Sequence, residues 1–229
     1  MSRSPPTGGR GSLTLQRVEI TDNYAGVFLT YGSAHFANVR MHNNRLGSLV
    51  TERAQLTLED AQVSGGQRGL AVAGTAHVRA VRTQFLSNIR GLVVLEAAHV
   101  TLEGTTLENN TEVGLEARGS SIVTLAQSAV AANGIGSDCV SLQMLCPGIL
   151  VQGESQLTVR DSVIRANADW GIAAALKRCG YSDDDFSEHV IFLGETRLEG
   201  NNVTGNQNGM GNPGDHPFAH LPDGQVCLP

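Results

Sequence analysis

The residues whose types could do chemistry gather late in this chain. Asp183, Asp184 and Asp185, followed by Glu188 and His189, make its one dense run of acids. Hard oxygen ligands at neighbouring loop positions suit calcium, which neutralises an acidic substrate while an Arg or Lys removes a proton. A solvated acidic loop is the ordinary reading of the same run. Trp170 is the only tryptophan, and Tyr181 follows it in the same irregular stretch. Aromatic faces of this kind stack on sugar rings, so the pair is a candidate glycan subsite; packing of Trp170 beneath the neighbouring insertion is the alternative. The tail offers Asp215, His216, His220 and Asp223, types that suit a transition metal. Their context, NPGDHPFAHLPDG, is rich in proline and glycine, and nothing in it fixes four side chains on one face. Covering the end of the molecule is the simpler role for that tail, with Phe218 and Leu221 as anchors.

None of these groups completes a catalytic set. Hydrolysis of a glycosidic bond needs a raised-pKa acid and a second carboxylate held several ångströms apart. Glu59, Glu103 and Glu108 lie on regular segments without such partners. No catalytic residue is expected.

Cys139, Cys146, Cys179 and Cys227 all fall outside the regular repeat described below. An even count in segments that lack a core favours two bridges, Cys139 with Cys146 and Cys179 with Cys227; free thiols or a metal site are the alternatives, though no CxxC pair occurs. Disulfides imply a secreted, periplasmic or cell-surface location. The opening MSRSPPTGGRG has no apolar signal core, and no run of eighteen apolar residues occurs, so no membrane span is expected and any export signal lies outside this chain. The abrupt first coil at Gly11 reads as that of a fragment of a longer protein. Net charge is −6. Residues 1–100 carry ten Arg against six acids, and residues 101–229 carry six Lys and Arg against sixteen. The basic half lacks interleaved aromatics, which argues against nucleic acid as a partner, and the acidic half leaves room for a cation.

What must position any of these groups is a repeat. Asn23, Asn44, Asn88, Asn110, Asn133, Asn167 and Asn201 mark it, with Gly66 in the one slot lacking Asn; successive spacings are 21, 22, 22, 22, 23, 34 and 34. The two long spacings contain insertions, at about 134–148 and 177–189. Three residues before each marker stands an apolar residue: Ile20, Met41, Val63, Phe85, Leu107, Val130, Ile164 or Leu198. Eight before it stands Leu15, Phe36, Leu58, Ala80, Leu102, Leu125, Val159 or Leu193, and two further back a second apolar column ends in Ile191. Alternation of this kind is that of strands with every second side chain inward. The residue between the two columns then faces out: Thr14, His35, Thr57, Arg79, Thr101, Thr124, Thr158 and Phe192. His35 and Arg79 break what would otherwise approach a flat threonine array. A glycine soon after most markers opens a third strand, as in Gly69-Leu70 and Gly91-Leu92.

A coil of about 22 residues cannot bury an apolar face alone, whereas stacked coils align like residues into continuous ladders. The asparagines are expected at a turn, tolerating a left-handed backbone and passing amide hydrogen bonds from coil to coil; their role is structural. The expected fold is an all-β, single-stranded right-handed parallel β-helix of about eight coils over 11–205, with a linker or disordered segment at 1–10 and a capping tail at 206–229.

The period and its Asn-x-x-Gly pattern resemble the repeats of the pectate-lyase-like superfamily over nearly 11–205, most of all the broad group known only as right-handed parallel β-helix repeat proteins. That group includes carbohydrate-processing domains and a periplasmic maturation factor of nitrous oxide reductase. The resemblance implies the fold and leaves the chemistry open. The Asn-Thr-Asp, Asp-Asp, Gly-His-Gly and Arg-Ile-Lys motifs of the superfamily's polygalacturonases are absent in register. The reading at this point is a non-catalytic extracytoplasmic module, carbohydrate-binding or surface-structural, that needs no cofactor and has polysaccharide as its partner. The alternative is a calcium-assisted uronate lyase or epimerase, with Asp183, Asp184, Asp185 and Glu188 as metal ligands.

Overall fold

Each repeat supplies three short runs of alternating apolar residues, too short to form a sheet within one coil, so every strand finds its partner in the next repeat. The computed structural model describes residues 11–137, 139, 146–174, 189–199, 201 and 226–227. These form three parallel sheets, each eight strands deep. The first runs from Ser12–Gln16 to His189–Leu193, the second from Glu19–Thr21 to Arg197–Glu199, and the third from Ala25–Leu29 to Val226–Cys227. The chain is an all-β parallel solenoid.

Register follows the apolar columns. Leu56, Val78 and Val100 stack on one another, as do Val63, Phe85 and Leu107 in the second sheet. With Leu70, Leu92 and Leu115 of the third sheet they fill a single core whose side chains are almost wholly buried. Each such residue contributes about 1.5–3 kcal/mol by leaving water.

The asparagine column lies inside the corner between the second and third sheets. The backbone N–H and the Nδ2 of Asn88 both donate to Oδ1 of Asn110, at 3.0 and 3.3 Å, and Asn110 donates likewise to Asn133. From Asn44 onward each amide also reaches back to the second strand of the preceding coil: Asn110 Nδ2 donates to the Phe85 carbonyl at 3.2 Å. At the slot lacking Asn, the Gly66 N–H still donates to Asn88. The left-handed residue of the corner is not the asparagine, as expected from sequence, but the one before it: Asp22, Asn43, Gly65, Ser87, Asn109, Ala132 and Ala166 have φ between 51° and 70°. That residue makes the turn, which leaves the asparagine free to face inward and bond along the stack.

The glycine that follows has a steric reason. A Cβ on Gly91 would lie 2.5 Å from the Gly114 carbonyl oxygen and 2.9 Å from the Asn110 amide, so the third strand can pass the asparagine column only without a side chain there.

Two further expectations are corrected. In the last coil the sequence reading places Ile191 and Leu193 inward and Phe192 outward. In the structure Val190 and Phe192 pack on the core, while Ile191 and Leu193 are 53% and 47% exposed. Ile191 stacks on Thr158 and Phe192 on Val159. The cause is one additional residue: three residues, Gly194, Glu195 and Thr196, separate the last strands of the first two sheets, where Asp161 and Ser162 suffice one coil earlier. Counting back a fixed distance from Asn201 therefore slips by one and inverts the strand's faces. The second correction concerns Cys227, which is not outside the regular coils. Val226 and Cys227 pair with Ile172 and Ala173, so seven coils run in unbroken order and a strand from the tail completes the eighth rung.

Candidate functional site

The corner between the first and second sheets is only two residues long in the early coils, and the first of the two is left-handed: Arg17, Asn38, Asp60 and Arg82, with φ of 46–55°. The second turns inward, so that Val39 and Ala61 are buried. The strand that follows opens with Glu19, Arg40, Gln62 and Gln84. Stacked over four coils, these two columns border a groove of about 540 Å³ lined by Arg17, Glu19, Asn38, Arg40, Asp60, Gln62, Arg82 and Gln84 together with Val18 and Ala61.

Both carboxylates of the groove already have partners. Arg82 donates from Nε and from its terminal nitrogen to the two oxygens of Asp60, at 2.7 and 2.8 Å. Those bonds hold the Asp60 carboxyl below its usual range despite some desolvation, and raise the Arg82 guanidinium. Glu19 lies 2.7 Å from Nε2 of His42. Gln62 donates to Gln84 at 3.2 Å. Arg17 and Arg40 enter no ion pair among the described residues, so the groove carries two guanidiniums without a counter-charge. The arrangement suits a ligand that presents oxygen acceptors, an anionic group above all.

A second charged cluster lies on the third sheet. Glu116, its side chain 2% exposed, meets Arg90 at 2.9 Å and also Arg118, while Arg90 meets Glu112 at 2.7 Å. Burial opposes the charge on Arg90, but Glu116 and Glu112 more than offset it and hold the guanidinium above its usual range. With Glu116 buried and every charge of the cluster paired, its role is structural.

Of the residues singled out from sequence, Trp170 is 3% exposed, so a sugar could reach its ring only by displacing what covers it. Cys139 and Cys146 form a disulfide with Cα atoms 5.8 Å apart, and the Cys146 N–H donates to Asp169 at 3.3 Å, which ties that cysteine to the next coil. The seven asparagines form the ladder described above. Tyr181, Asp183, Asp184, Asp185, Glu188 and Cys179 lie outside the described residues, as do Asp215, His216, His220 and Asp223; of Cys227 only the backbone is described, so its pairing with Cys179 is not placed. Among the described residues no three His, Cys, Asp or Glu side chains come together as metal ligands. No helix among them is long and apolar enough to cross a membrane. The groove itself escaped the sequence reading. Its signal was present: the residues six and four before each marker are polar in the first four repeats, Arg17, Asn38, Asp60, Arg82 and Glu19, Arg40, Gln62, Gln84.

Comparison with known proteins agrees with this architecture. The family model described as "Right handed beta helix region" matches residues 7–212. The chain belongs to the right-handed β-helix family. Among solved structures this β-helix is similar to that of pectate lyase Pel9A, with a TM-score of 0.56 and 13% identity over 82% of this chain and 59% of that one. This chain thus spans under two thirds of the lyase, and the likeness is one of fold. No curated protein matches it.

Proposed function

We propose that this β-helix is a non-catalytic carbohydrate-binding module that works outside the cytoplasm, with the corner groove as its binding surface. The observation that carries the reading is the pair of free guanidiniums, Arg17 and Arg40, set among three side-chain amides in one groove. Planar amide and guanidinium groups match the hydroxyl and carboxylate oxygens of saccharides, and a rigid backbone limits the ordering cost of binding to that of the side chains. Columns about 4.8 Å apart per coil also suit a polymeric ligand lying along the stack. Uronate polysaccharide is the ligand this charge favours. The Cys139–Cys146 bridge supports an oxidising compartment.

Calorimetric titration with uronate and neutral oligosaccharides, with calcium and with chelator, tests the reading. Uronate oligosaccharides are expected to bind in both media, and R17Q/R40Q to weaken binding at least about tenfold, as loss of charge-assisted hydrogen bonds would. No binding, or equal binding by the variant, would overturn it. Release of an ultraviolet-absorbing unsaturated product that stops on chelation would instead favour the calcium-assisted lyase centred on Asp183, Asp184 and Asp185. Neither binding nor product would leave a surface-structural role.

A further inference from the structure

We propose a second site, for a divalent transition metal, on the outer face of the first sheet, made by His77 and His99. The two open successive strands of that sheet and are direct partners in register. Val78 and Val100 beside them are buried, which turns both imidazoles outward, where they are exposed. Their ring centres lie 4.8 Å apart with planes inclined at 47°.

That separation fits chelation. Imidazole nitrogen binds such ions at about 2.0–2.1 Å, and the ring centre lies roughly 1.1 Å behind the nitrogen; two imidazoles on one ion, at an angle of about 90–109°, then have centres about 4.5–5.2 Å apart. The spacing between stacked strands is about 4.8 Å, so the backbone itself sets the pair near chelating distance, and rotation of the exposed rings about their side-chain bonds aims the nitrogens. Neither ring has a hydrogen bond or ion pair among the described residues, so their nitrogens are available. In the same column Gln55 and Ile122 flank the pair, and neither carries charge. The nearest cation along the strand, Arg79, is occupied by Glu103 at 2.7 Å. An incoming metal therefore meets no uncompensated guanidinium at that position.

Imidazole ligands select copper, nickel and zinc over calcium and magnesium. Two protein ligands leave the remaining coordination positions to water or to an incoming donor, which is the open arrangement rather than the closed structural one. The site lies at the opposite edge of the first sheet from the carbohydrate groove and does not depend on it.

Titration of the metal-stripped protein with Cu²⁺, followed by electron paramagnetic resonance, tests the proposal because the hyperfine pattern counts coordinated nitrogens. One Cu²⁺ per chain with two imidazole nitrogens is expected, displaced by Zn²⁺ and indifferent to Ca²⁺. H77Q and H99Q should each weaken binding at least about tenfold and reduce the pattern to one nitrogen. H216Q/H220Q, which removes the tail histidines, should change nothing. His77 and His99 are both exposed, and unchanged circular dichroism verifies that the variants fold. A two-nitrogen signal that persists in H77Q/H99Q, or single variants that weaken binding less than twofold, would overturn the assignment.

Discussion

At the scale of single residues the stack depends on amides, buried from Asn44 onward, that bond to the coils on either side. Asn110 accepts two hydrogen bonds from Asn88 and donates to Phe85 and Asn133. Its replacement by alanine strands several buried groups, each at a cost of about 1–3 kcal/mol. N110A is expected to lose about 3 kcal/mol, read from the shift in urea midpoint. The slot occupied by Gly66 makes a sharper case. From sequence, an asparagine there would complete the column and stabilise the fold. In the structure a Cβ at that position runs into the Asn44 carbonyl, so G66N is expected to destabilise by roughly 2 kcal/mol, a strain comparable to overpacking. The ladder was legible in the sequence because spacing alone reveals it. Why one slot lacks an amide was not, since the answer lies in the approach of another coil's backbone.

Strands were legible wherever the corner between them has constant length. Inward and outward faces read correctly for the first seven coils, down to Leu157 and Val159, and failed in the eighth because Gly194, Glu195 and Thr196 replace a two-residue corner. The added residue is held locally: Glu195 N–H donates to Asp161 at 2.9 Å and the Thr196 hydroxyl to Leu193 at 3.1 Å. An insertion of one residue leaves no compositional trace, whereas the long insertions announce themselves by spacing. The two registers predict opposite outcomes. F192T should cost about 2 kcal/mol by removing a half-buried ring from the core, while I191T should fall within about 0.5 kcal/mol of the parent. Equal or reversed losses in a thermal melt would mean that the sequence-derived register is correct. The groove belongs to this scale as well, because it is made by two adjacent columns of one corner. Apolar columns stand out by hydropathy and rare residue types by their scarcity, whereas common polar residues recurring in phase, such as Arg17, Asn38, Asp60 and Arg82, carry no such mark.

For the molecule as a whole, a solenoid transmits little along its axis, because each coil touches only its neighbours. Damage should therefore stay local. The Cys139–Cys146 bridge closes a short loop of sequence separation 7, and its removal in C139S/C146S is expected to cost about 2 kcal/mol. Hydrogen exchange should show that loss in Ile149–Val151 and the coils adjoining it, with the amides of Leu56–Glu59 as protected as before. Uniform loss of protection along the chain would show that the molecule opens as one unit. At this scale the sequence revealed the architecture and left the ligand to geometry, since a fold shared by many chemistries does not specify one.

The strand Val226–Cys227 gives the molecule a timetable. Most rungs join residues about one repeat apart, as in Arg90 with Val113, and such near neighbours meet early in folding. Ile172 must wait for Val226, which lies past the last coil in the tail. Loop closure over that longer path is slower, and the exposed edge of Ile172–Ala173 stays unprotected until it happens. Until Val226 has been made and has docked, the third sheet stays open at Ile172–Ala173, and that interval is when a nascent copy is most liable to pair with another.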